Sequence, residues 1–184
     1  MKEPCCDCSR RKFLQTLSVA TAGLVLYSPW HKVFADSKER TLSFFHTHTG
    51  EHLELTYFSN GLYHGNALAE LNRYLRDFRT EEIYPIDKNL LDFLYAVKVA
   101  CNSKGTFEVI SGFRSPQTNQ SLQEMGRGVA TRSLHMEGRA IDIRLTDVET
   151  LNLKKAAVSL QRGGVGYYAE SDFVHLDTGR VRYW

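Results

Sequence analysis

The stretch "SLHMEGRAIDIRL", Ser133 to Leu145, changes character halfway along. Its first half is polar and broken by Gly138. From Ala140 onward it alternates, with Ile141, Ile143 and Leu145 on one side and Asp142 and Arg144 on the other. Period-two alternation marks a strand with one buried face. The stretch therefore predicts a loop histidine, His135, delivered beside a strand aspartate, Asp142, with "EGRA" as the turn between them.

Downstream, Thr146 and Glu149 predict a capping box for a helix that stops at Gly163-Gly164. The tail "VGYYAESDFVHLDTGRVRYW" reads as a hairpin, with Phe173, His175 and Asp177 on one face and Val174 and Leu176 on the other. Upstream, "TFEVIS" (Thr106 to Ser111) is a strand running into "GFRS", and Ser115 caps a helix that opens with Pro116. Arg114 thus falls where a strand hands over to a helix. Leu68, Leu71, Leu75 and Phe78 recur at helical spacing, and a second helix near Asp87 buries Leu90, Leu91, Leu94 and Val97. Arg40 to Phe58 forms two β segments around "THTGE", closed by Asn60-Gly61. The expected fold is α+β: a small antiparallel sheet carrying Asp142 and His175, helices packed on one face, and a groove on the other.

The chain has 184 residues, is 42% hydrophobic and has a formal charge of +2, which suits one compact domain. Its first 35 residues read as a targeting signal. "CSRRKFLQ" (Cys8 to Gln15) sets paired arginines before an apolar run that is too interrupted for a membrane span, and "VFA" ending at Ala35 supplies a cleavage site. An uncleaved anchor flanked by Trp30, His31 and Lys32 is the competing reading. Cleavage leaves a domain of residues 36–184 with 18 basic and 19 acidic side chains, a balance that excludes a strong nucleic-acid field. Cys5, Cys6 and Cys8 fall in the signal, and Cys101 alone remains, so no internal disulfide is expected in an oxidising compartment.

Histidine and carboxylate are the donors a catalytic zinc ion takes, three at a time. His135, Asp142 and His175 have that chemistry. Spacing alone is a weak argument for a metal, and by it they read sooner as a loop histidine, a solvent-facing aspartate and a strand histidine bonded to backbone. "HTHTGEH" packs His46, His48 and His52 together, but a turn with polar histidines explains it, and His64 reads as a loop residue. "RGGVGYY" lacks the Lys-Ser/Thr of a phosphate loop and follows a helix instead of opening one.

Three motifs in order, "SGFRS", "SLHMEGRAIDI" and "DFVHLDTG", resemble the zinc D-Ala-D-Ala peptidase superfamily that includes VanX-type dipeptidases and the hedgehog-like domain. Over residues 40–184 the chain resembles its YcbK-type murein endopeptidases, exported enzymes that cut peptide crosslinks in peptidoglycan. The family pattern S-H-x-x-G-x-A-x-D falls on Leu134 to Asp142, with Leu134 departing from the serine. The resemblance implies Zn2+ held by His135, Asp142 and His175, and Arg114 binding a substrate carboxylate or carbonyl oxygen. It also implies an acidic base three residues before the last histidine, at Asp172; Asp177, on the same strand face as His175, is the alternative base or the partner that orients that ring.

The expected protein is thus a periplasmic, twin-arginine-exported, monomeric zinc endopeptidase whose partner is the peptidoglycan stem peptide. The alternatives are a D,D- or L,D-carboxypeptidase trimming stems, or a zinc-containing binding module without catalysis.

Overall fold

A computed structural model of the protein describes residues 38–126 and 128–184. The signal expected in residues 1–35 lies outside the described residues, and no described helix is long and apolar enough to cross a membrane.

The strands are β1 (Glu39–His46), β2 (His52–Ser59), β3 (Leu62–Tyr63), β4 (Phe107–Ser111), β5 (Ala140–Leu145), β6 (Gly164–Tyr168), β7 (Phe173–Asp177) and β8 (Arg182–Tyr183). Between them lie α1 (Gly65–Tyr74), α2 (Lys88–Ala100), α3 (Pro116–Glu124), a 3-10 turn (Leu134–Glu137) and α4 (Thr150–Leu160). The α+β expectation holds, on a larger sheet than foreseen. Eight strands run in the order β3-β2-β1-β4-β5-β7-β6-β8. The β1·β4 and β6·β8 pairs are parallel, and the other neighbours are antiparallel.

Alternation in β5 has the predicted effect. Ile141, Ile143 and Leu145 sink into a core with Leu90, Leu94 and Val97 of α2 and Leu153 and Ala157 of α4. α2 and α4 pack on each other, and α4 lies over β5, β6 and β7. Each fully buried leucine or isoleucine there contributes roughly 1.5–3 kcal/mol. Stability is concentrated on this face, which frees the opposite face of β5 and β7 for polar side chains.

Three predicted helix boundaries shift, one of them the stop expected at Gly163-Gly164: α4 ends at Leu160, Gln161 (φ 51°) is its left-handed cap, and Gly164 opens β6. α1 ends at Tyr74, and Phe78 instead stacks on His48 at 4.4 Å between centroids. α4 begins at Thr150 with no side-chain cap from Glu149, because Thr146 Oγ1 is engaged by the Thr106 N–H across the sheet end. Local capping chemistry yields here to a bond between distant chain segments. The other caps form as expected: Asp87 accepts from the Asn89 N–H, and Ser115 from the Thr118 N–H with Pro116 opening the helix.

Candidate active site

Register brings the site together. In the antiparallel β5·β7 pair, Asp142 lies directly opposite His175, so both side chains leave the sheet on the same face. Ser111 of β4 is opposite Asp142 on the other side, just past an irregularity in the ladder. The chain then leaves the sheet at Gly112, and Arg114 follows two residues later. His135 enters from the 3-10 turn, which ends at Gly138 in the left-handed region (φ 63°). A Cβ at Gly138 would overlap the Pro85 carbonyl, so this turn needs glycine. The strand-end loop grips the histidine twice: the Arg114 N–H donates to the His135 carbonyl (3.1 Å), and His135 Nδ1 lies 2.8 Å from the Gly112 carbonyl.

The Gly112 contact makes Nδ1 the protonated nitrogen of His135 and leaves Nε2 as a lone-pair donor. Nε2 lies 3.2 Å from His175 Nδ1 and 3.4 Å from Asp142 Oδ2, and His175 Nδ1 is 2.8 Å from Asp142 Oδ1. Donors bound tetrahedrally to zinc are about 3.3 Å apart, from metal–ligand lengths near 2.0–2.1 Å. The spacing therefore fits a zinc ion, and the three side chains are grouped as a candidate metal site. All three are largely withdrawn from solvent.

Electrostatics agree with a cation at this point. Burial would raise the Asp142 carboxyl, but His135 and His175 hold it far below the usual carboxylate range. Burial would lower His175, yet hydrogen bonds to Asp142 and Asp177 outweigh it and push it up to about 9. The positive charge the pair retains as a proton is the charge a metal ion would supply. Behind His175, the fully buried Asp177 takes His175 Nε2 at 3.1 Å and both Arg182 terminal nitrogens at 3.0 and 2.6 Å. This chain fixes the ring so that Nδ1 points at the other donors.

Arg114 stands over the group, its Nη2 3.8 Å from Asp142 Oδ2 and 3.4 Å from Ser111 Oγ. Its Nε is buried with no partner, so the guanidinium has unspent hydrogen-bonding capacity beside the donors. Two cavities meet here, of about 520 and 460 Å³, and both are lined by Arg114, Asp142 and Phe173. All three donors line the larger of these two cavities, and Asp142 alone of them also lines the smaller.

Asp172, expected as the base, is not brought to this group. It occupies the β6–β7 turn with φ 50°, and its carboxylate accepts from Thr150 Oγ1 and lies 3.8 Å from Arg144 Nε. It faces a separate cavity, while Phe173 takes the groove position next to His175. Asp142 is the one carboxylate among the described residues that lines the groove. Asp172→Ala is accordingly expected to leave the hydrolysis rate within about twofold of wild type, as for an exposed side chain remote from the reacting atoms. A hundredfold loss of kcat in a folded variant would restore Asp172 as the base.

The sequence reading placed Phe173 on the face of His175 but passed over two further aromatic groove residues, Tyr168 and Trp184. Tyr168 stacks on Phe173 (4.6 Å) and accepts from Trp184 Nε1 (3.0 Å), and the Trp184 indole lies 5.4 Å from the His175 ring. The aromatic residues that end "GVGYY" and "RVRYW", next to the strands of the predicted hairpin, were the available signal. His46 is fully buried and packs edge-on against Tyr74 and Phe78, away from the donor group.

A buried His-Asp-His donor set beside a desolvated arginine could hold a metal ion for hydrolysis, and the family to which the chain compares makes the class a peptidase. Residues 34–184 match the family model described as "Peptidoglycan L,D-endopeptidase MepK". The chain belongs to this family. It is 38% identical over 178 residues to the peptidoglycan L,D-endopeptidase MepK of Escherichia coli K12, covering 97% of this chain and 98% of the relative. It is 35% identical over 179 residues to the probable enzyme of the same name from Haemophilus influenzae, covering 97% and 96%. No solved structure matches the chain.

Proposed function

We propose that this chain is a zinc-dependent murein endopeptidase that hydrolyses L,D amide bonds in peptide crosslinks of the cell wall. It reaches the periplasm through the twin-arginine signal read in residues 1–35. The observation that carries the reading is the convergence of His135, Asp142 and His175 at zinc-like spacing in a cavity that Arg114 also lines. The L,D bond preference is taken from the names of the relatives, which align over almost their whole length. The second cavity, which shares Arg114, Asp142 and Phe173 with the first, gives room for chain on the far side of the scissile amide, which suits cutting within a crosslink.

His135 Nε2, Asp142 and His175 Nδ1 would hold the ion. Zinc in such a site acts as a Lewis acid on the amide carbonyl and makes water a better nucleophile near neutral pH. Arg114 contributes its buried charge to the oxygen on which negative charge develops, in a setting where little water competes. Asp177 and Arg182 keep His175 from rotating away. Tyr168 and Trp184 flank the groove and orient the peptide.

The test is digestion of purified sacculi by the mature protein, with products separated and weighed by mass spectrometry. The expected result is loss of crosslinked dimers, abolished by chelation and restored by one equivalent of zinc. Shortened monomers with crosslinks intact would make it a carboxypeptidase. Zinc binding with no digestion at any pH would make it a binding module, and activity that survives chelation would remove the metal from the reading.

A further inference from the structure

The arm of the groove on the α3 side contains a cation that the chemistry above does not use. This cavity, of about 460 Å³, is lined by Arg79 and His48 on one wall, by Ile110, Leu122 and Met125, and by Arg114 at its junction with the donor group. The Arg79 guanidinium lies over the Phe78 ring at 4.2 Å, and Phe78 stacks in turn on His48 at 4.4 Å with ring planes 15° apart. Stacking fixes the plane of the guanidinium while leaving its edge N–H groups available. None of the ion pairs among the described residues involves Arg79. Arg79 and Arg114 line one cavity, so both cations face the same space.

The backbone holds this arrangement firmly. Asp77, almost fully buried, accepts from the Ser115 N–H (2.8 Å), Ser115 Oγ (2.7 Å) and the Arg79 N–H (3.0 Å). One carboxylate therefore ties the Arg79 segment to the strand-helix junction that carries Arg114. Arg79 and Arg114 line the same partly apolar cavity, where the carboxylates near them are Asp142, a metal-donor candidate, and Asp77, whose oxygens are engaged by Ser115 and the Arg79 N–H, so the cavity presents net positive charge to an incoming anion.

We propose that the α3-side arm is a carboxylate-binding subsite in which Arg79, with Arg114 at its inner end, receives a free carboxylate of the substrate residue next to the scissile amide. The identity of the ligand rests on the endopeptidase reading. An L,D amide has its nitrogen on a D stereocentre, and where that is the second centre of a diamino diacid the same carbon bears a free carboxylate. That anion lies within one residue of the bond to be cut, where this subsite meets the donor group. Arg79 is then a specificity residue and not part of the hydrolytic machinery, and the apolar wall of Ile110, Leu122 and Met125 receives the aliphatic stem of the diamino acid.

The test uses the zinc-loaded mature protein and two crosslinked stem-peptide dimers, identical except that the carboxylate beside the scissile amide is free in one and amidated in the other. Binding of the two corresponding amine-side fragments, which carry no cleavable bond, is measured in parallel by calorimetry. Wild type is expected to favour the free carboxylate by about tenfold in kcat/KM and in fragment affinity, the scale of one charge-assisted hydrogen bond. Arg79→Ala and Arg79→Gln should erase the preference by lowering the free-carboxylate value while leaving kcat on the amidated dimer unchanged. Arg79→Lys should keep part of it. A wild-type protein indifferent to amidation, or an Arg79→Ala protein that retains the wild-type preference, overturns the subsite. If fragment binding shows the Arg79-dependent preference but neither dimer is cut, the subsite stands and the endopeptidase reading fails.

Discussion

His135→Ala should bind no zinc at stoichiometric concentration and should digest sacculi at least about a thousandfold more slowly, a loss of about 4 kcal/mol of transition-state stabilisation. Two donors do not hold a catalytic ion that needs three. The variant should still fold. The bond that positions the turn, from the Arg114 N–H to the His135 carbonyl, is made by the main chain and survives, and the lost side-chain bond to the Gly112 carbonyl is a single one. Melting curves separate loss of metal from loss of fold. Wild type should melt higher with zinc than with chelator, because a ligand that binds only the native state adds to its stability. His135→Ala should melt at one temperature in both. Full digestion by a zinc-free His135→Ala protein would end the metal reading.

How much of this site was legible in the sequence depends on the scale of the interaction. Alternation from Ala140 to Leu145 needs only local periodicity, and the strand forms where it was read. That pattern also put Asp142 opposite the apolar face. What it could not supply is the direct pairing of Asp142 with His175, which depends on strand register between residues 33 apart. Taken alone, Asp142 read sooner as a solvated side chain, yet it is buried beneath two histidines and an arginine. Asp172 fails for a related reason. Its spacing from His175 fitted a family pattern, but a left-handed turn residue directs its carboxylate to Thr150 and Arg144 instead. Thr146, taken for a helix cap, bonds to a strand forty residues earlier in the chain. In each case a tertiary partner outcompeted the local one, and tertiary partners are what one sequence conceals.

Asp77 shows the same limit from the structural side. It reads as an ordinary charged residue near the end of an amphipathic stretch, but it is 1% exposed and joins two segments that frame the groove. Burial would raise its carboxyl, and the hydrogen bonds from Thr118, Arg79 and Ser115 reverse that and hold it below its usual value. The position of Arg114 therefore depends on a residue nearly forty positions away that never touches the donor group.

Asp177→Ala should cost more in stability than any single groove substitution, about 3 kcal/mol, because it breaks a buried ionic network and strands its partners. The carboxylate is fully buried and accepts from the Gly164 N–H (3.2 Å) and the Gly179 N–H (2.8 Å), besides the Arg182 and His175 contacts. Alanine leaves two main-chain N–H groups and a guanidinium without their acceptor. Arg182 is one-third exposed, so water recovers part of its loss, and this places the figure at the lower end of the range for broken buried pairs. Urea unfolding of the zinc-free protein measures this cost directly, since the Gly164, Gly179 and Arg182 bonds do not need the metal. Asp177→Asn fills the same space with one acceptor oxygen and should lose less stability. It also weakens the hold on His175 Nε2, so zinc affinity should fall by about 10–100-fold, the usual effect of removing the partner that orients a ligating histidine. The two readouts separate two roles: the alanine variant reports what Asp177 does for the β6–β7 end of the sheet, and the zinc titration of the asparagine variant reports what it does for His175. An unchanged urea midpoint in Asp177→Ala would show that the network carries no stability. An unchanged zinc affinity in Asp177→Asn would show that His175 is held in place by the β5–β7 register alone.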